Sequence, residues 1–255
     1  MAIAVFGDIH GNLEALEAII KSIKKNRKIK QAYFLGDAIT FGPDSSACLK
    51  LLAKHKNLIK CVIGNHEQRV VRYDKSVSTM TYATIKHMEY IYHSLDNDDL
   101  RFIKTMQNEL KINYRGINVI FVHYSLDKDG VVRDDYEEFS ESVLERLFGD
   151  KIFDVIFFGH IHRRKIIIDE CGKSYICNGS SGCVKGDHTF YTYFEVNDKM
   201  GERNFDFYRV NVKFNRKRFE EKMRIQPIPE KVSFAKHCFG LELGDANAEQ
   251  TKSLP

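Results

Sequence analysis

The sequence predicts a layered α/β protein, and two observations carry that expectation. Five short apolar runs rich in β-branched and aromatic residues, at residues 3–6, 32–35, 61–63, 119–122 and 155–158, each end in glycine or a polar residue. Such continuous runs suit strands buried on both faces, which cannot alternate polar and apolar side chains. Between the first two lies a helical pattern: Leu13, Leu16, Ile19, Ile20 and Ile23 share one face, with Asn12 placed to cap it. The lysines and arginine at positions 21–30 read as a solvated C-terminal turn favoured by the helix dipole.

The remaining elements follow in order. Residues 49–56 read as a second crossover helix. From about residue 68 to 111 the chain turns polar and helix-leaning, too long for a loop, and reads as a small helical insert. Residues 139–147 form another expected helix. Residues 165–168, 173–177 and 190–196 read as antiparallel strands, followed by 205–212. A late helix over 217–223 is closed by Pro227 and Pro229. Residues 1–244 are expected to form a single domain, with 245–255 a flexible tail.

Composition narrows the function classes. The net charge of +4 suits anionic small molecules and is too small to indicate nucleic acid. No stretch approaches the roughly 18 apolar residues of a membrane span. The first apolar run is too short for a signal-peptide core and leads directly into Asp8. Six cysteines contain no C-x-x-C pair. The even spacing of Cys171, Cys177 and Cys183 fits no zinc template, so reduced core or loop thiols and a cytoplasmic location are expected.

The chemistry sits at the ends of the five runs, which lead into Gly7-Asp8-Ile9-His10-Gly11-Asn12, Gly36-Asp37, Gly64-Asn65-His66-Glu67, His123 and Gly159-His160-Ile161-His162. In α/β sheets ligands bind beyond the carboxyl ends of strands, so five strands would deliver these groups to one rim. The donor set exceeds what one ion needs. Its mixed nitrogen and oxygen character suits Mn, Fe, Ni, Zn or Co better than Ca or Mg. In Asp8-x-His10 and His160-x-His162 an extended chain would turn one side chain of each pair away, so a turn is required. Gly7, Gly11 and Gly159 are the residues expected to ease it.

The series GDIHGN, LGD, GNHE, VH and GHIH, in this order, resembles the signature of the calcineurin-like metallophosphoesterases. The later Asn178-Gly179-Ser180-Ser181-Gly182 is similar to a loop of their small bacterial and archaeal phosphodiesterase-like branch. The resemblance implies a four-layer α-β-β-α sandwich, two central mixed sheets flanked by helices, and two divalent transition metals, with manganese foremost. It implies that Asp8, His10 and His162 hold one metal, that Asn65, His123 and His160 hold the other, and that the Asp37 carboxylate bridges them. His66 would contact the phosphate and protonate the leaving oxygen, after attack by a hydroxide shared between the metals.

Protein phosphatases of the superfamily follow the second motif with an Asp-Arg pair. Here the stretch after Asp37 reads Ala38-Ile39-Thr40-Phe41-Gly42-Pro43. The expectation is therefore a phosphodiester or nucleotide substrate. A protein or dinucleoside-polyphosphate phosphatase is the alternative, and a non-catalytic scaffold a third reading that the full ligand set argues against. Candidate substrate contacts are Asn12, Arg69, Arg72 and Arg163, each with a bland alternative: helix capping for Asn12, solvated charge for the arginines. Glu67 reads equally as a support for the metal residues or a surface group. Tyr124 and Ser125 read as loop packing, and Ser180 and Ser181 lack a nucleophile elbow. His55, His87, His93, His188 and His237 are expected to be structural.

Overall fold

The computed structural model describes residues 1–72, 81–133, 138–199 and 202–243. Two five-stranded mixed sheets stack face to face. The first runs β10-β9-β1-β2-β3, with β1 Ala2–Phe6, β2 Ile29–Phe34, β3 Ile59–Cys61, β9 His188–Lys199 and β10 Glu202–Lys213. The second runs β4-β5-β6-β8-β7, with β4 Glu109–Tyr114, β5 Ile117–Val122, β6 Val155–Phe158, β7 Lys165–Ile168 and β8 Ser174–Cys177. Strands β1, β2 and β3 are parallel to one another, as are β5, β6 and β8.

The continuous apolar runs have a simple cause. In β1, Ile3 and Val5 join the core between the sheets, packing with residues such as Phe121, Phe157 and Phe194. Ala2, Ala4 and Phe6 face the other way, toward α1 (Leu13–Lys25) and α2 (Ser45–Lys54). In the second sheet, Ile120, Val122, Ile156 and Phe158 turn toward α6 (Glu141–Phe148). Helices outside both sheets complete the four layers. A fourth apolar cluster, around Phe219, Met223 and Phe239, packs α7 (Arg216–Ile225) and α8 (Lys231–Phe239) against Ala15 of α1.

Several expectations are corrected. The third strand ends at Cys61, and Val62 makes only an isolated bridge to Gln107. Residues 68–111 are not wholly helical. They include most of α3 (Asn65–Val71), then α4 (Tyr82–Ser94) and α5 (Asn97–Ile103), but Glu109 begins β4, antiparallel to β5. From Leu110 to Tyr114 that strand alternates half-buried apolar and exposed polar residues, a period of two that the helical reading of 68–111 overran. Strand β8 pairs with β7 antiparallel but with β6 in parallel, and so belongs to the second sheet, apart from β9. No element was expected between Pro229 and the tail, yet α8 lies there and carries Ala235 and Phe239 into the core. The expected tail at 245–255 lies outside the described residues.

Candidate metal centre

The site forms where β1, β2, β3, β5 and β6 end, at one rim of the stacked sheets. The chain does not leave β1, β2 and β6 gently. Asp8, His10, Asp37, His160 and His162 all take left-handed backbone angles, with φ of 52°, 49°, 58°, 68° and 57°. For residues with a Cβ this costs on the order of 1–3 kcal/mol each and persists only where the surroundings impose it. Here they do. The Ile9 and His10 amides donate to the Asp37 carbonyl at 2.8 and 3.0 Å, and Gly11 donates to Ala38 at 2.8 Å. The two turns therefore lock each other.

The polar residues themselves bend back, and the neighbouring glycines mostly serve close approach. Only Gly11 of the three expected hinge glycines has a positive φ. A Cβ on Gly159 would stand 2.4 Å from Asp8 Oδ2, and one on Gly64 would stand 2.0 Å from Asp37 Oδ1.

These turns bring all seven candidate ligands together. His10 Nε2 and His162 Nε2 stand 2.9 Å apart, and His162 Nε2 is 3.4 Å from Asp8 Oδ1. On the other side, Asn65 Oδ1 is 2.9 Å from His123 Nε2 and 3.3 Å from His160 Nδ1. Asp37 Oδ2 lies between the groups, 3.2 Å from His123 Nε2 and 3.8 Å from His10 Nε2. His66 Nε2 approaches the same oxygen at 3.9 Å.

The electrostatics of this cluster fit cations. His123 Nδ1 donates to the Leu35 carbonyl at 2.7 Å, which leaves Nε2 facing the oxygens of Asp37 and Asn65. Either a proton or a metal must sit there. Burial opposes protonation, but the Asp37 charge outweighs it and lifts His123 to about 9. His10 is held the same way, Nδ1 against the Ile39 carbonyl at 3.1 Å, with Nε2 turned inward. Burial, reinforced by His162, lowers its pKa well below the usual range, so its ring stays neutral and able to ligate. Asp8 Oδ2 is buried without a hydrogen-bond donor. A buried carboxylate oxygen in that state is costly unless a cation reaches it.

Glu67 is fully buried beneath the cage. Its carboxylate accepts four backbone amides: Asp37 at 2.8 Å, Ala38 at 2.7 Å, Ile39 at 3.2 Å and Gly64 at 3.0 Å. Of its two readings, support is therefore the one its contacts express. Burial and the Asp37 charge raise its pKa, against the pull of these donors.

The candidate substrate contacts scatter. Asn12 is buried, its Oδ1 capping α1 through Ala15 and its Nδ2 donating to the Gly182 carbonyl. Arg69 lies near enough to His66 for its charge to lower that ring's pKa, whereas Arg72 and Arg163 are exposed. Tyr124 stacks on His160 at 4.7 Å and thus packs as expected, though against a ligand candidate. Two aromatic and sulfur neighbours gave no motif signal. Phe41 stacks on His10 at 4.5 Å and backs onto His87 and Phe234. Cys183 places its Sγ within 4.8 Å of ring nitrogens of both His10 and His162.

A rim of carboxylate, amide and imidazole donors, with Asp37 Oδ2 between the two groups, suits the binding of divalent cations. The family model for calcineurin-like phosphoesterases matches residues 1–164, and the chain belongs to that family of metal-dependent phosphoesterases. It is 28% identical to the uncharacterized protein MJ0912 of Methanocaldococcus jannaschii, over 89% of this chain and 94% of that one. It is 34% identical to the symmetrical bis(5'-nucleosyl)-tetraphosphatase of Haemophilus ducreyi, over only 26% of this chain and 25% of that enzyme. Its fold is shared with a metallophosphoesterase from Sphaerobacter thermophilus, with a TM-score of 0.65 and 20% identity over 93% of this chain and 98% of that one. Among the described residues no helix is long and apolar enough to cross a membrane.

Proposed function

We propose that the chain hydrolyses a phosphodiester or nucleotide at a two-metal centre in which Asp8, His10 and His162 hold one ion and Asn65, His123 and His160 the other. The observation that carries this reading is the position of Asp37 Oδ2, within 3.2–3.9 Å of ring nitrogens of His123, His10 and His66. From there one carboxylate reaches both metal positions. When bound, the ions supply positive charge to the phosphoryl oxygens and lower the pKa of a shared water. The fixed turns hold the ligands in place before substrate arrives, so little reorganisation is needed as charge develops.

His66 is the catalytic residue proposed to move a proton. Burial lowers its pKa to about 3, so the ring is neutral in the ligand-free protein. An anionic phosphate beside it favours the protonated form, from which it donates to the leaving oxygen. Arg69, whose charge is felt at His66, would meet the same phosphate. The stretch after Asp37 supplies an aromatic ring, Phe41, rather than an arginine, which supports a diester or nucleotide over a phosphoprotein.

We take residues 1–244 as one unit, with the helices between residues 68 and 111 beside the rim to select substrate. The six free thiols suit the cytoplasm. A hydrolysis panel with added Mn, covering generic phosphodiesters, phosphomonoesters, cyclic nucleotides, dinucleoside polyphosphates and phosphopeptides, tests the reading. Diesters or nucleotides should turn over fastest. A preference for phosphopeptides overturns it, and a preference for dinucleoside polyphosphates selects the alternative.

A further inference from the structure

Among the described residues three side-chain groups have the geometry to hold a metal, and only one of them contains sulfur. It joins Cys183 to His10 and His162, with the three donor atoms within 4.8 Å of one another. Donors sharing one tetrahedral zinc stand roughly 3.3–3.6 Å apart, given Zn–N and Zn–S bonds near 2.0 and 2.3 Å. The two ring nitrogens, 2.9 Å apart, are at least that close, and the thiol lies within 4.8 Å of a nitrogen of each ring.

The placement of Cys183 is built into the loop that carries it. The Ser181 amide donates to the Gly7 carbonyl at 2.9 Å, and the Gly182 amide donates to the Asp8 carbonyl at 3.0 Å. Ser180 Oγ donates to that same carbonyl at 2.7 Å and accepts the Cys183 amide at 2.8 Å. Asn12 Nδ2 holds the Gly182 carbonyl at 2.8 Å. The approach is so close that a Cβ on Gly182 would stand 1.9 Å from the Ile9 carbonyl oxygen. The loop is thus stitched to the turn that presents Asp8 and His10. The Cys183 thiol is hydrogen-bonded to that of Cys238 in α8, both pack against the cluster around Phe219 and Phe239, and burial keeps the metal-free thiol protonated. A low dielectric there strengthens the attraction between a thiolate and a divalent cation.

We propose that Cys183 is a thiolate ligand of the metal position formed by Asp8, His10 and His162, and that this position selects zinc or iron(II) over manganese. The inference rests on the dinuclear reading above. Thiolate and imidazole donors suit zinc and iron, whereas manganese favours carboxylate and water. The second position, read from Asn65, His123 and His160 with Asp37, draws on nitrogen and oxygen donors and is the harder site. The two positions therefore differ in preference. Binding displaces the thiol proton to solvent, and no change of oxidation state is involved.

Cobalt(II) loading of the reduced, metal-free protein tests this. Wild type should bind about two ions per chain and show thiolate-to-cobalt charge-transfer absorption. Cys183→Ser and Cys183→Ala should lose that absorption, while Cys238→Ser keeps it. Zinc affinity at the sulfur-bearing position should fall at least roughly tenfold in Cys183→Ser, with manganese affinity little changed. X-ray absorption of the zinc-loaded wild type, which needs no variant, should show a sulfur scatterer at about 2.3 Å. Two bound ions with no sulfur signature overturn the inference and leave the dinuclear reading standing. Absorption that survives Cys183→Ser, or vanishes in Cys238→Ser, also overturns it. Failure to bind any ion removes both together.

Discussion

At the scale of the residue, two neighbours in sequence divide the work. Glu67 looks inward and gathers four backbone amides from the Asp37 turn and Gly64, while His66 looks toward the rim. Glu67→Gln replaces one acceptor oxygen with a donor that must face backbone N–H groups. It should destabilise the metal-free protein by about 3 kcal/mol, hence by roughly 6–12 °C in Tm, as read by calorimetry. A loss well under 1 kcal/mol would mean that the turn holds itself. His66→Gln should behave differently, lowering kcat by about 10²–10⁴ with metal content unchanged. Metal loss in that variant would make His66 a ligand. The ligand candidates were legible because Asp, Asn and His each follow an apolar run, a pattern strand geometry makes meaningful. Cys183 was not, because it lies 21 residues beyond His162 (183 − 162) and only tertiary folding brings it to the histidines.

At the scale of the element, the design is a set of abrupt strand exits. Left-handed angles at Asp8, His10, Asp37, His160 and His162 turn side chains that an extended strand would splay, and glycines make room for the turns to touch. Gly64, between β3 and α3, leaves no room for a Cβ against the Asp37 side chain. Gly64→Ala pushes a methyl group to within 2.0 Å of where Asp37 Oδ1 now sits. The variant should keep its far-ultraviolet circular dichroism yet bind the metals at least roughly tenfold more weakly. Unaltered affinity would show that the turn has slack. The need for a turn was legible from the D-x-H and H-x-H spacing, whereas which residues bear the positive φ was not. Strand β4 and helix α8 escaped for physical reasons too. The former is an edge strand whose alternation at Leu110, Ile112 and Tyr114 lacks the continuous apolar run of a strand buried on both faces, and the latter owes its stability to packing of Ala235 and Phe239 rather than to a strong helical pattern.

At the scale of the whole molecule, two sheets converge on one rim, and the same carboxylate and imidazole groups that make the site make it strained when empty of charge. Packed imidazoles 2.9 Å apart and a buried carboxylate oxygen that no donor reaches carry a desolvation cost that a bound cation offsets. Bound metal should therefore stabilise the fold, by about 2.7 kcal/mol per site at a free concentration 100 times Kd. A chelator should lower Tm by several degrees, reversibly on adding metal back, and a Tm indifferent to chelation would separate the site from the fold. The layered class was legible from the five runs because burial on both faces leaves a continuous apolar signature. The pairing of β8 with β6 was not, because strand order is a property of the assembled sheets. The most direct test of the central claim is the metal content of wild type and Asp37→Asn after loading with Mn, measured beside phosphodiester hydrolysis. A shared carboxylate predicts about two ions per chain in wild type, with both sites weakened and turnover abolished in Asp37→Asn. Fewer than about one ion per wild-type chain, or near wild-type turnover in the variant, would contradict the bridge.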